Sequence, residues 1–132
     1  MTQHISAITL LVPDYDAGIA FYVHKLGFDL LEDTRLSETK RWVRVAPKGA
    51  QTALLLAKAD GGAQVAAIGA QTGGRVSFFL HTDNFDRDYA AMTAAGITFL
   101  ETPRREPYGS VVVFQDPFGN KWDLIEPSAD SR

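Results

Sequence analysis

The chain repeats itself, and that repeat constrains the fold more than any single motif. At an offset of about 70 residues, Ala46-Pro47-Lys48-Gly49 falls on Asp116-Pro117-Phe118-Gly119, with both Pro and both Gly in register. Lys25 to Glu32 falls on Thr93 to Glu101 once a one-residue slip is allowed, so Gly27 meets Gly96, Leu31 meets Leu100 and Glu32 meets Glu101. Ahead of these, Tyr15, Ile19 and Tyr22 match Phe85, Tyr89 and Met92. Any one match is cheap; the same order of features in both halves is not.

Each half reads as one strand, one helix and three strands. Ile8–Val12 and Val76–Leu80 are short apolar runs rich in strand formers. Asp14 or Asp16, and Asp83 or Asn84, are candidate N-caps for the helices that follow. Ile19, Phe21, Tyr22 and Leu26, like Phe85, Tyr89, Met92 and Ala95, recur at helical spacing and give each helix one apolar face. Gly27 and Gly96 stand where a left-handed C-cap is needed, which Gly adopts without a Cβ penalty. The expected strands are 28–32, 41–46 and 51–56 in the first half, and 97–101, 110–115 and 121–126 in the second. Pro47-x-Gly49 and Pro117-x-Gly119 join the last two strands of each half as hairpins. The fold expected is α+β: two tandem βαβββ modules, at about 5–58 and 75–127, forming a curved mixed sheet with a central cleft. The linker, about 59–74, has room for a short helix near 63–68. One helix covers one face of a four-stranded sheet and leaves the other bare, which directs the search for function to the bare faces.

Composition narrows the partners. The chain has 132 residues, 13 Lys+Arg against 16 Asp+Glu, and a formal charge of −3, so it lacks the basic footprint of a nucleic-acid or polybasic membrane binder. Cys is absent, which excludes disulfides, Cys-ligated zinc and a thiol nucleophile. No apolar run approaches the roughly 18 residues of a membrane span. Met1-Thr2-Gln3-His4 shows no basic start to a leader, so a cytoplasmic protein is expected, and the length suits one domain. Gly61-Gly62 and Gly73-Gly74 lack the strand, helix and Lys-Ser/Thr of a phosphate loop.

Paired βαβββ modules, Phe21-Tyr22 ahead of Leu26-Gly27-Phe28, and the ending Asp116-Pro117-Phe118-Gly119-Asn120-Lys121-Trp122-Asp123-Leu124 together resemble the vicinal-oxygen-chelate superfamily. That group holds glyoxalases, extradiol dioxygenases and the fosfomycin- and bleomycin-resistance proteins, and the resemblance runs from about residue 5 to 127. It implies the fold, and a homodimer, but no single activity. In its metal-dependent members the chelating side chains stand on the first and last strand of each module. Carried over one at a time, these positions fall on Ala7, Ala53, Ser77 and Asp123. A divalent ion needs three or four His or carboxylate ligands at about 2.0–2.2 Å. Two methyls, one hydroxyl and one carboxylate do not supply them, and His4, His24 and His81 lie elsewhere. The expectation is therefore no metal and no cofactor.

Strand alternation puts Thr9, Leu11, Ser77, Phe79 and His81 on the face of Ala7, and Ile125 on that of Asp123. The face is mostly apolar with a few polar groups, as small-molecule sites are. Asp123, between Trp122 and Leu124, reads either as a ligand anchor or general base, or as an internal ion pair with Arg44 or Arg41. His81 reads as a substrate-orienting group or base, or as a solvent-facing strand end. Trp42 and Arg44 share a face; toward the cleft they would stack on a ring and bind an acid, and on the other face Trp42 would be core. Tyr108, in the turn-rich stretch Arg104 to Gly109, reads as a lid or as plain loop. The function expected is metal-free binding of a small organic molecule, with catalytic residues unknown. The alternative is a lyase, isomerase or dioxygenase of the same superfamily using Asp123 or His81 as base. A third reading is a structural dimer without a ligand.

Overall fold

A computed structural model describes residues 2–129; Met1, part of the leader reading, lies outside them. The chain divides into two compact units, Met1–Ile68 and Gly69–Arg132. The first holds β1 (Ala7–Val12), α1 (Tyr15–Ile19), β2 (Asp29–Arg35), β3 (Arg41–Ala46), β4 (Ala53–Lys58) and α2 (Gly62–Ala67). The second holds β5 (Val76–His81), α3 (Phe85–Ala94), β6 (Thr98–Phe99), β7 (Arg104–Glu106), β8 (Gly109–Gln115) and β9 (Lys121–Pro127). Each unit has its own mixed sheet, ordered β1-β4-β3-β2 and β5-β9-β8-β6, with β7 also on β8.

The repeat is visible in the caps. Asp14 Oδ1 accepts from Ala17 N at 2.8 Å, and Asn84 Oδ1 accepts from Arg87 N at 3.1 Å. Each satisfies a backbone donor that a helix start leaves open. Tyr15 and Phe85, the first helical residues, are both buried. Gly27 and Gly96 follow the helices at φ 86° and 79°, the left-handed conformation that the sequence required of them. One detail was not expected: α1 runs on over Ala20–Lys25 as a π-helix, with Leu26 N donating to Phe21 O five residues back at 2.8 Å. This segment buries Phe21 and Tyr22 edge to face, their ring centres 4.8 Å apart.

In the first unit, parallel β1–β4 sets Leu10 opposite Leu56, and antiparallel β3–β4 sets Leu56 opposite Val43. All three are buried, and a Cβ on Gly18 of α1 would lie 2.9 Å from Leu56 Cδ1. This is therefore the face under the helix. In the second unit the equivalent face carries an aromatic chain. Tyr89 of α3 meets Phe99 at 4.7 Å between ring centres, Phe114 stacks on Trp122 at 5.7 Å, and Trp122 meets Phe78 at 4.4 Å.

Two strand expectations are corrected. β2 continues to Arg35 instead of ending at Glu32, because the turn after it is tight: Leu36 N and Ser37 N both donate to Lys40 O, at 2.8 and 3.1 Å. The expected strand 97–101 shrinks to Thr98–Phe99, and Arg104–Glu106, read as loop, is the short strand β7. The cause is Glu101. Its Oε2 accepts from Val113 N at 3.0 Å, so a carboxylate takes the place of a backbone acceptor in the ladder and the chain bulges away before returning on β8.

Candidate functional site

The face turned away from α1 presents a row across the first sheet: Thr9 opposite Leu55, Leu55 opposite Arg44, Arg44 opposite Glu32. Trp42 lies two residues from Arg44 on the same face, 38% exposed, so it is not core beneath the helix. The open question of its orientation is thereby answered. Arg44 is engaged, its Nε donating to Glu32 Oε1 at 3.0 Å. Arg41 points the other way. It donates to both oxygens of Asp33 at 3.1 and 2.7 Å and to Asp16 at 2.9 Å, and its guanidinium carbon lies 5.3 Å from the centre of the Tyr15 ring. These bonds hold Asp33 below the ordinary aspartate range and Arg41 above its own.

The ion pair considered for Asp123, with Arg44 or Arg41, is not formed, since each arginine is committed to carboxylates of its own unit. Asp123 instead stands on the open face of the second sheet, between Phe79 of β5 and Val113 of β8. Its Oδ1 is buried and finds no hydrogen-bond partner among the described residues. Burial pushes its carboxyl above the ordinary range; Arg104 opposes that shift and Glu101 adds to it. Phe79, directly opposite, is 63% exposed. An apolar ring left in solvent beside an unpartnered carboxyl oxygen is poorly satisfied on both counts.

The remaining candidates fall differently. His81 ends β5 opposite Ile125 and is exposed, two residues from Phe79 along the same face. Ser77 shares a 3.1 Å hydroxyl contact with Thr72. Tyr108 sits in the tight β7–β8 turn, its carbonyl accepting from Ser128 N at 2.9 Å, with Arg104 near its side chain. Arg104 itself bridges Glu101 and Glu106 at 3.0 and 2.8 Å, so the stretch expected to overhang as a loop is stitched to the sheet.

The four chelate positions do not fit a divalent ion. Ala7 stands opposite Ala53, two methyls with no donor atom. The offset of the repeat pairs Ser77 with Asp123, but the ladder slips between Val76 and Phe78, and Phe79 takes that place. No group of three or more His, Asp or Glu converges among the described residues.

The first unit also carries a cavity of about 560 Å³ that sequence reading did not find. Trp42 and Leu55 belong to it, together with Tyr15, Lys40, Lys58 and Gln64. These residues are scattered over a hairpin, two helices and a strand end, with no shared motif to mark them.

Comparison with known proteins fits this architecture. The family described as Glyoxalase/Bleomycin resistance protein/Dioxygenase superfamily matches residues 4–124, and the chain belongs to it. An uncharacterised protein of Shewanella frigidimarina is 52% identical over 96% of this chain and 95% of its own. Among solved structures, UcmS2 is 31% identical with a TM-score of 0.83, covering 96% of this chain and 99% of that one. TnmS3, described as an antibiotic binding protein from Streptomyces sp. CB03234, is 33% identical with a TM-score of 0.77, over 96% and 98% of the two chains. No helix among the described residues is long and apolar enough to cross a membrane.

Proposed function

We propose that this protein binds a small organic molecule without a metal, using the faces of its sheets that the helices leave bare. The observation that carries the reading is the Phe79–Asp123 pair, an exposed ring directly opposite a buried carboxyl oxygen that lacks a donor. A molecule with an aromatic or aliphatic ring and an adjacent O–H or N–H would satisfy both at once, the ring covering Phe79 and the donor meeting Oδ1. Ser77 and His81 on the same sheet are further contacts in this reading, and Thr9 and Trp42 offer the bare face of the first unit's sheet by itself. Arg44 contributes only if it leaves Glu32, and Tyr108 only from its turn. The antibiotic-binding description of TnmS3 supports the same class of role.

A second reading has one specific observation in its favour. A carboxyl whose proton is held more tightly by burial is suited to act as a general base, so Asp123, or His81 beside it, would serve a lyase or isomerase of this superfamily. A homodimer belongs to the proposal on resemblance alone, and a cytoplasmic location on the sequence reading alone.

A thermal-shift screen of ring-containing small molecules, followed by calorimetry on the hits, tests it. A true ligand at about 100 times its Kd stabilises the fold by about 2.7 kcal/mol. Asp123→Ala and Phe79→Ala are each expected to weaken such a hit about tenfold, near 1.4 kcal/mol. Hits indifferent to both changes would remove this face from the site. Consumption of a hit, followed by mass spectrometry and abolished by Asp123→Ala, would favour the enzymatic reading.

A further inference from the structure

The cavity of the first unit has a structural origin in its sheet. The β3–β4 ladder consists of three pairs, Val43 with Leu56, Arg44 with Leu55 and Val45 with Leu54, and then stops although both strands continue. The same register would set Trp42 opposite Ala57 and Arg41 opposite Lys58. Neither pair forms. Beyond Val43, β3 stays with β2, through Thr34 opposite Trp42 and Arg35 opposite Arg41. Beyond Leu56, β4 stays with β1, through Leu11 opposite Ala57 and Val12 opposite Lys58. The sheet therefore splits into two ribbons, and the space between them is the cavity of about 560 Å³. In an antiparallel ladder alternate pairs exchange two backbone hydrogen bonds, so a split spanning two pairs turns one N–H and C=O couple on each ribbon toward the gap.

The walls of the gap are chemically uneven. Trp42 and Leu55 supply apolar surface, and Tyr15 lines the same space. Of the three cations, Arg41 is neutralised by Asp16 and Asp33. Lys40 and Lys58 form no ion pair among the described residues; Asp60 lines the same cavity, and Lys58 also borders a smaller neighbouring one with Asp14, Asp16 and Glu38. Asp60 is held at its backbone, where its N–H donates to Gln64 Oε1 at 2.9 Å. Two uncommitted ammonium groups beside an indole make a place for a ring that carries negative charge.

We propose that the split between β3 and β4 binds a planar aromatic molecule bearing a carboxylate or comparable acidic group, its ring against Trp42 and its charge between Lys40 and Lys58. This deepens the binding reading and rests on it for Trp42, while depending on neither Phe79 nor Asp123.

Isothermal titration of the full chain with 2-naphthoate and with its uncharged analogue 2-naphthylmethanol is the test. The charged probe is expected to bind saturably and about tenfold more tightly than the neutral one, with an advantage that fades as salt rises. Lys40→Met and Lys58→Met should each cost about two- to fivefold, as exposed ion pairs do. Trp42→Leu should cost more than either lysine, and Arg87→Met, outside both proposed sites, should leave naphthoate affinity unchanged; circular dichroism checks that each variant is folded. Equal affinity for the two probes overturns the charge assignment but leaves small-molecule binding standing. Naphthoate binding indifferent to Trp42→Leu and both lysine variants places the ligand elsewhere and overturns the split as the site. Absence of naphthoate binding at millimolar concentration also overturns it; only an equally empty wider screen would take the binding reading with it.

Discussion

At Asp123 the protein keeps a half-buried carboxyl with one oxygen unpartnered, where Asn would have the same shape without the charge. Because burial raises the folded-state value above the unfolded one, the neutral acid is the form the fold tolerates. Its stability contribution is whole below the unfolded pKa, near 4, and is lost as pH climbs through the raised folded value. Asp123→Asn is therefore expected to raise the melting temperature at pH 7, and the gain should shrink toward nothing as the pH is lowered to about 4. Melting curves of the two proteins across that range check it, and a loss of stability at neutral pH would refute the sign. A residue whose replacement stabilises the fold while weakening a ligand is being kept for the ligand. In the sequence, Asp123 was visible as a carboxylate between two core residues. Its lack of a partner was not, because the sequence does not show that Arg41 and Arg44 are bound to Asp16, Asp33 and Glu32.

Among the elements, what could be read ahead was what local chemistry decides. Asp14 and Asn84 cap, Gly27 and Gly96 terminate, and Pro47 and Pro117 turn, all from short-range hydrogen bonding and backbone sterics. Substitution of one backbone acceptor by a distant side chain leaves no such trace, and Glu101 therefore broke the expected strand 97–101 unannounced. Its removal should be felt beyond its own position. Glu101→Ala strands the Val113 N–H and half-frees Arg104, with an expected loss of about 1–3 kcal/mol by denaturant unfolding. Glu101→Gln keeps an acceptor for Val113 and should lose less, about 1 kcal/mol. Equal losses for the two would mean that charge pairing with Arg104, and not the ladder bond, is what Glu101 supplies. The split after Val43 was hidden too: Arg41-Trp42 and Ala57-Lys58 are good strand sequence, and each segment stays paired on its outer edge, with β2 or β1, while the edge between them opens.

For the whole molecule, the duplicated pattern announced the fold, whereas the chemistry had to be sought where the two copies differ. Micromolar Ni²⁺, Zn²⁺, Fe²⁺ or Mn²⁺ added to the purified chain is expected to leave the melting temperature unmoved; a rise of several degrees would expose a tight site, since whatever binds the native state alone stabilises it by mass action. The copies differ most tellingly along their parallel ladders. Ala7 faces Ala53, a separation of 46 in sequence, while Asp123 faces Phe79, a separation of 44. Ser77 thus lies two positions down its strand, displaced by about 6.6 Å along it. Histidine and glutamate in place of Ala7 and Ala53 would stand opposite each other in the first copy, whereas a histidine at position 77 would not stand opposite Asp123 in the second. A ligand engineered to stand across from Asp123 would therefore have to replace the ring of Phe79, and the hydroxyl of Ser77 would be the wrong place to begin.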